Sequence, residues 1–188
     1  FPHWYDNFHE RGYEVIRQTA DFDVTWVGTE IRDELDSRWG GRGRYTAYFM
    51  QSWLERIGGG KCGGGWYDTL GTTPATYLVQ ARQTILGGAR ESMLFNARDL
   101  RSRDTGPDDA KALREALPAL LDLAANVKRR SAIGVALYKP PSSPGEEEQR
   151  IFEHVGMLGI PFVACHEFPT DAPAAFFSIH ALPVSRTT

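Results

Sequence analysis

The chain has 188 residues, 41% of them apolar and 24% charged, with a formal net charge of −3. That is apolar material for one sizeable domain or parts of two, and the slight acidity offers no general attraction to nucleic acid or an anionic membrane. No apolar run approaches the roughly 18–20 residues that span a bilayer.

The opening Phe1-Pro2-His3-Trp4-Tyr5-Asp6 has neither the basic and apolar regions of a signal peptide nor a starting methionine. The expectation is a processed chain or a piece of a longer one. Cys62 and Cys165 lie far apart and read as reduced thiols of a cytoplasmic protein. Neither CxxC nor HExxH spacing occurs, so no metal site is expected, and nothing calls for a cofactor.

The elements repeat as helix, then strand. Glu10–Ala20 predicts a helix with Tyr13, Ile16 and Ala20 on one face, and Val24–Thr29 a short strand. Tyr45, Tyr48, Phe49, Trp53 and Ile57 recur at helical spacing, and a glycine-rich break leads to the strand Gly65–Asp68. Thr73-Pro74 supplies an N-cap and a first-turn proline for a helix with Tyr77, Leu78, Ala81, Ile85 and Leu86 on its apolar face, stopped by Gly87-Gly88. The run around Ser92–Phe95 suits a parallel strand covered on both faces. Arg101–Pro107 reads as a connector. The helix Asp108–Arg130 is acidic at its start and basic at its end, which matches the helix dipole, and Pro118 should kink or divide it. Ile133–Tyr138 (strand), a proline-rich turn, Glu146–Leu158 (helix), Ile160–Ala164 (strand) and Ala175–Ala181 (strand) complete the pattern. Strands joined by helices predict an α/β fold with parallel sheets, with a domain boundary between residues 101 and 131.

Three motifs suggest chemistry and fail on context. Asp21-Phe22-Asp23-Val24-Thr25 fits the D-x-D-x-T of haloacid-dehalogenase-type phosphatases, but a helix end precedes it where an apolar strand is needed. Gly58–Gly65 resembles a phosphate-binding loop, yet Cys62 stands where Ser or Thr is required and Glu55 where the first glycine should be, so it reads as a tight helix-to-strand connection. Cys165-His166-Glu167 are neighbours that face opposite ways on a strand and cannot form a triad.

A stronger pattern follows the first three strands, which run into Thr29-Glu30-Ile31-Arg32-Asp33, Asp68-Thr69 and Asn96-Ala97-Arg98-Asp99. Strand C-termini face the ligand in parallel α/β architectures. Two carboxylates across such a mouth suit glycoside chemistry, and Trp26, Trp39, Tyr45, Trp66 and Tyr67 offer flat faces for sugar rings. The competing reading is that these acids cap helices or pair with Arg32 and Arg98.

Trp66-Tyr67-Asp68, Pro74, the run Gln80-Ala81-Arg82-Gln83-Thr84-Ile85-Leu86-Gly87-Gly88-Ala89 and Met93-Leu94-Phe95-Asn96 together resemble the last two units of clan A glycoside hydrolase barrels, in particular the family 42 β-galactosidases and their uncharacterised relatives. The likeness lies in spacing and order rather than in a signature. It implies that residues 1–106 are the last βα units of a TIM-barrel-like domain. Residues 107–188 would be a linker helix and the start, Ile133–Ala181, of a Rossmann-like trimerisation domain similar to class I glutamine amidotransferases, with no amidotransferase chemistry implied.

On this alignment Val24–Thr29 is the sixth strand, and the seventh ends in Asp68 where the family has a glutamate nucleophile. An aspartate is one methylene shorter and serves only if strand or substrate sits closer. The family's acid/base belongs to a fourth strand outside this chain. The catalytic candidates are therefore Asp68 and Glu30, with Trp26, Arg32, Asp33, Trp66, Tyr67, Asn96, Arg98 and Asp99 as substrate-binding candidates. The isolated chain is expected to be inactive, its partner a carbohydrate, with homo-oligomerisation open to its second half. Two alternatives stand beside this: a carbohydrate-binding or scaffold protein that has lost catalysis, and a complete small domain with flavodoxin-like winding.

Overall fold

In the computed structural model the described residues are 12–36, 38, 43–102, 106–128, 130–141 and 145–176, the side chains of 145–150 excepted. Helix and strand alternate as far as β5, and a second strand follows it: α1 Val15–Asp21, β1 Thr25–Gly28, α2 Thr46–Gly58, β2 Cys62–Tyr67, α3 Pro74–Leu86, β3 Glu91–Leu94, α4 Gly106–Val127, β4 Val135–Tyr138, α5 Gly145–Met157, β5 Phe162–Cys165 and β6 Ala175–Phe176. The fold is α/β, and every strand pairing is parallel. The strands form two sheets, in the orders β1-β2-β3 and β5-β4-β6. That departs from flavodoxin-like winding, which would put them in one sheet.

Local chemistry explains most of the boundaries. Thr73 caps α3 by accepting from the Thr76 amide at 3.2 Å, and Pro74 follows it. Thr19, Gln18 and the Glu14 cap organise the short α1, whose expected beginning at Glu10 lies outside the described residues. The last part of the expected strand Ala175–Ala181 lies outside them as well.

The glycine run does two jobs. Gly59 and Gly60, at φ 56° and 92°, make the turn out of α2, while the glycines from 63 to 65 already belong to β2. A Cβ on Gly64 would stand 1.9 Å from the Glu91 carbonyl oxygen, and one on Gly65 would stand 2.7 Å from a Thr29 methyl. Close backbone packing is thus the role of these glycines, but inside the strand rather than before it.

Two expectations need correction. β3 was expected to be covered on both faces, yet all four of its residues are exposed. It is an edge strand, and α4 packs on α3 instead of over it. Pro118 does not divide α4, which runs as one helix of 22 residues. Leu113, Ala116 and Leu120 hold its two halves against Tyr77 and Ala81, so packing outweighs the missing backbone bond. The basic residues expected in its last turn fall just beyond it.

α2 is the centre of the molecule. Phe49, Met50, Trp53 and Leu54 pack on Val27 and Cys62 of the first sheet and on Leu137, Phe162 and Ala164 of the second, in one buried cluster. Phe49 stacks on Phe152 of α5 with ring centroids 3.6 Å apart. Fully burying such side chains contributes about 1.5–3 kcal/mol each. At the start of α2, Glu153 of α5 accepts from the Tyr45 amide at 2.7 Å and the Thr46 hydroxyl at 3.1 Å. A carboxylate from one unit thereby caps a helix of the other.

Candidate functional site

Parallel pairing sets the three strand ends side by side. The Thr29 amide donates to the Trp66 carbonyl and the Phe95 amide to the Tyr67 carbonyl, both at 2.8 Å. Glu30, Asp68 and Asn96 therefore lie along the same end of the first sheet. The Phe95–Asn96 peptide bond is cis.

Two of the three ends form one buried group. Arg32 donates from Nη1 to Oδ1 of Asp68 at 2.8 Å and from Nη2 to Oδ2 at 3.1 Å. Asp68 Oδ1 also accepts the Leu70 amide at 2.9 Å. Beside them the Trp66 indole N–H donates to Oε1 of Glu30 at 2.9 Å. Glu30 is 1% exposed and Asp68 4%, so both carboxyl groups are withdrawn from bulk water. Burial raises the Asp68 pKa above the usual carboxylate value, Arg32 and the Leu70 amide draw it down, and neighbouring Glu30 pushes it up.

The frame behind this group comes from α3. Gln80, fully buried, accepts the Ile31 amide at 3.2 Å through Oε1 and donates to the Asp68 carbonyl at 2.9 Å through Nε2. One side chain thus ties the end of β1 to the end of β2. A turn further on, the Thr84 hydroxyl donates to Thr29 Oγ1 at 2.7 Å, and the Thr29 hydroxyl lies 3.1 Å from the Trp66 carbonyl. Neither Gln80 nor Thr84 was read as functional from sequence. The available signal was a polar residue on the apolar face of a helix, Gln80 between Tyr77 and Ala81.

The remaining candidates disperse. Asp33 anchors its loop, accepting the Leu35 amide and the Thr76 and Thr73 hydroxyls at 3.1, 2.8 and 3.3 Å, which holds its carboxyl below the usual range. Tyr67 points to the helix side and meets Tyr77 edge-on at 5.4 Å, so it joins the core rather than the Glu30–Asp68 group. Trp26 is half-buried beside Gly63. Asn96 and Asp99 bond to each other, Nδ2 to Oδ2 at 2.9 Å and Oδ1 from the Asp99 amide at 3.1 Å, and Arg98 is exposed. No hydrogen bond among the described residues links them to Glu30 or Asp68. Trp39 lies outside the described residues.

In the second sheet Cys165 ends β5, its thiol 3.4 Å from the Leu137 carbonyl. His166 Nε2 stands 3.9 Å from Glu167 Oε1, and burial lowers the imidazole pKa. Among the described residues no three metal-ligating side chains come together, and no helix is long and apolar enough to cross a membrane.

Residues 1–115 match the family described as probable glycosyl hydrolase, catalytic domain. The chain is similar to an uncharacterized protein of Saccharolobus solfataricus, 24% identical over 173 residues, in an alignment that covers 84% of this chain and 27% of that protein. It therefore spans well under a third of the curated relative it matches. No solved structure matches it.

Proposed function

Because the chain belongs to the probable glycosyl hydrolase catalytic-domain family, we propose that it is part of a larger protein that acts on carbohydrate through the ends of β1 and β2. One observation carries the reading: two buried carboxylates, Glu30 and Asp68, stand at adjacent parallel strand ends, each gripped by a dedicated donor.

In this reading Asp68 is nucleophile or base, the guanidinium of Arg32 favouring its ionised form against the burial that opposes it, and Trp66 fixes the orientation of Glu30 beside it. Glycoside cleavage uses such carboxylates around an oxocarbenium-like transition state. The ring of Trp66 supplies a face for sugar, with Asn96, Arg98 and Asp99 shaping the rim, whereas Trp26 lies beside Gly63, toward the other end of β2. The full site draws its acid/base from chain beyond these residues, so the isolated chain is inactive.

The finer architecture belongs to the same proposal. Residues 1–106 are closing units of a family 42 β-galactosidase-like TIM barrel, and residues 107–188 open a Rossmann-like domain able to mediate homo-oligomerisation. The parallel strands of both sheets and the open edge at β3, where a further strand could pair, support it. Two free thiols agree with a cytoplasmic location.

A second reading, sugar binding without catalysis, is favoured by one feature. Both oxygens of Asp68 are engaged by Arg32, and the residue is almost wholly buried, which leaves little of it for attack. The full-length protein, assayed on a panel of aryl glycosides with Asp68→Asn as control, decides between them. Turnover abolished by the substitution, in protein that circular dichroism shows still folded, supports catalysis. Sugar binding with no turnover supports the second reading, and neither binding nor turnover overturns both.

A further inference from the structure

We propose that Asp109 is a proton-operated latch: with its carboxyl protonated it docks the start of α4 on the loop that follows Asp68, and on losing the proton it loosens that dock.

Thr72 Oγ1 carries a single proton, and two acceptors stand within its reach, the Thr69 carbonyl at 3.0 Å and Asp109 Oδ2 at 3.2 Å. If Asp109 is ionised, one of the two goes without. If Oδ2 holds a proton, Asp109 donates to Thr72 Oγ1 and Thr72 donates to the Thr69 carbonyl, so every group on the line is used. The relay ends on the backbone of Thr69, the residue next to Asp68.

The surroundings point the same way. Asp109 is fully buried, although a first-turn aspartate could sit in water and still serve the helix dipole. Its Oδ1 has no hydrogen-bond partner, and neither has the nearby Tyr77 hydroxyl. An ionised carboxylate here would leave a charged oxygen unsolvated, which is far costlier than a neutral carboxyl.

Among the described residues no cation offsets that cost. On its own helix Asp109 adjoins Asp108; from α3 it faces Tyr77, with Tyr67 and Asp68 of the β2 end behind. In the turn before α4, Asp99 is taken up by Asn96, and Arg101 donates to the Ala97 carbonyl. Lys111 and Arg82, on α4 and α3, are exposed.

Burial accordingly raises the Asp109 pKa to about 6, against the Thr72 bond that lowers it. The folded protein then holds a proton that the unfolded chain has released, from about pH 4 up to about 6. Stability from this group is present at the acid end of that window and lost as pH rises through it. The latch rests on the β2–α3 loop geometry alone and stands whether or not the site acts on sugar.

The test is a carboxyl-carbon NMR titration of the intact chain, paired with urea unfolding from pH 4 to 8 for the unmodified protein and Asp109→Asn. Asp109 should titrate near pH 6. The unfolding equilibrium should shift against the native state by about a hundredfold across the window in the unmodified protein, one factor of ten for each pH unit between the ordinary carboxyl value and 6. Asp109→Asn should lack that step and be the more stable form at pH 7.5. Titration of Asp109 below about pH 4.5, or unfolding curves that run parallel at every pH, overturns the latch. If Asp109→Asn does not fold, the NMR midpoint decides alone.

Discussion

Arg32 closes on Asp68 with both arms of its guanidinium, at 2.8 and 3.1 Å, and neither side chain is more than 6% exposed. The pair joins the end of β1 to the end of β2, which gives the candidate carboxylate a fixed orientation before any ligand arrives. A pair so buried gains through geometry what it loses in hydration, and it is vulnerable to removal of either half.

Replacing both partners should therefore cost less than the sum of replacing each alone. Arg32→Met and Asp68→Asn are each expected to lose about 3–5 kcal/mol of stability, because an uncompensated buried group remains. The double variant should fall short of the summed losses by about 1–3 kcal/mol. A urea-denaturation cycle measures this, and additive losses would show that the two side chains do not act as a unit.

Gln80 should matter although it bears no charge. Gln80→Leu removes an acceptor from the Ile31 amide and a donor from the Asp68 carbonyl, and it leaves both backbone groups buried. A loss of about 2–6 kcal/mol is expected at roughly 1–3 kcal/mol for each unsatisfied group. Gln83→Leu is the control, since Gln83 serves only the half-buried Tyr48 amide among the hydrogen bonds seen here. Equal losses in the two variants would deny Gln80 its bridging role.

Gly64 and Gly59 should part company. Alanine at 64 drives its Cβ into the Glu91 carbonyl, with 1.9 Å between them, and should separate β2 from β3 at a cost above about 3 kcal/mol. Alanine at 59 meets nothing within 4 Å and bears only the strain of φ 56°, about 1 kcal/mol. Thermal midpoints of the two variants compare them directly.

The thiols should differ in reactivity. Cys62 is fully buried and accepts from Gln51 Nε2 at 3.2 Å, and burial pushes its pKa to about 11. Thiolate is the reactive form, so at pH 8 Cys62 should stay silent toward a disulfide reagent in the native protein. Cys165, half-buried, should react slowly, and both should react in denaturant. Prompt release of two thiols from folded protein would contradict the buried position of Cys62.

Much of the fold was legible because each element carried its own chemistry. Thr73-Pro74 announced α3, the spacing of Phe49 and Trp53 announced α2, and the alternation of helix with strand announced parallel sheets. The misreadings came from context. An apolar run such as that around Ser92–Phe95 looks alike in a central strand and at an edge, and Pro118 is tolerated only because α3 braces the helix around it.

The candidate site divides the same way. Sequence alone placed Glu30, Arg32, Asp68 and Asn96 at strand ends, because the period and the turn residues locate where a strand stops. Only the tertiary structure decided that Arg32 grips Asp68, that Trp66 holds Glu30 while its neighbour Tyr67 turns away to Tyr77, and that Gln80 ties the two ends together. Those are contacts between residues 36 or more positions apart, or between a strand and its following helix. Their distances are set by how the sheet and α3 pack, and no local pattern in the chain encodes that.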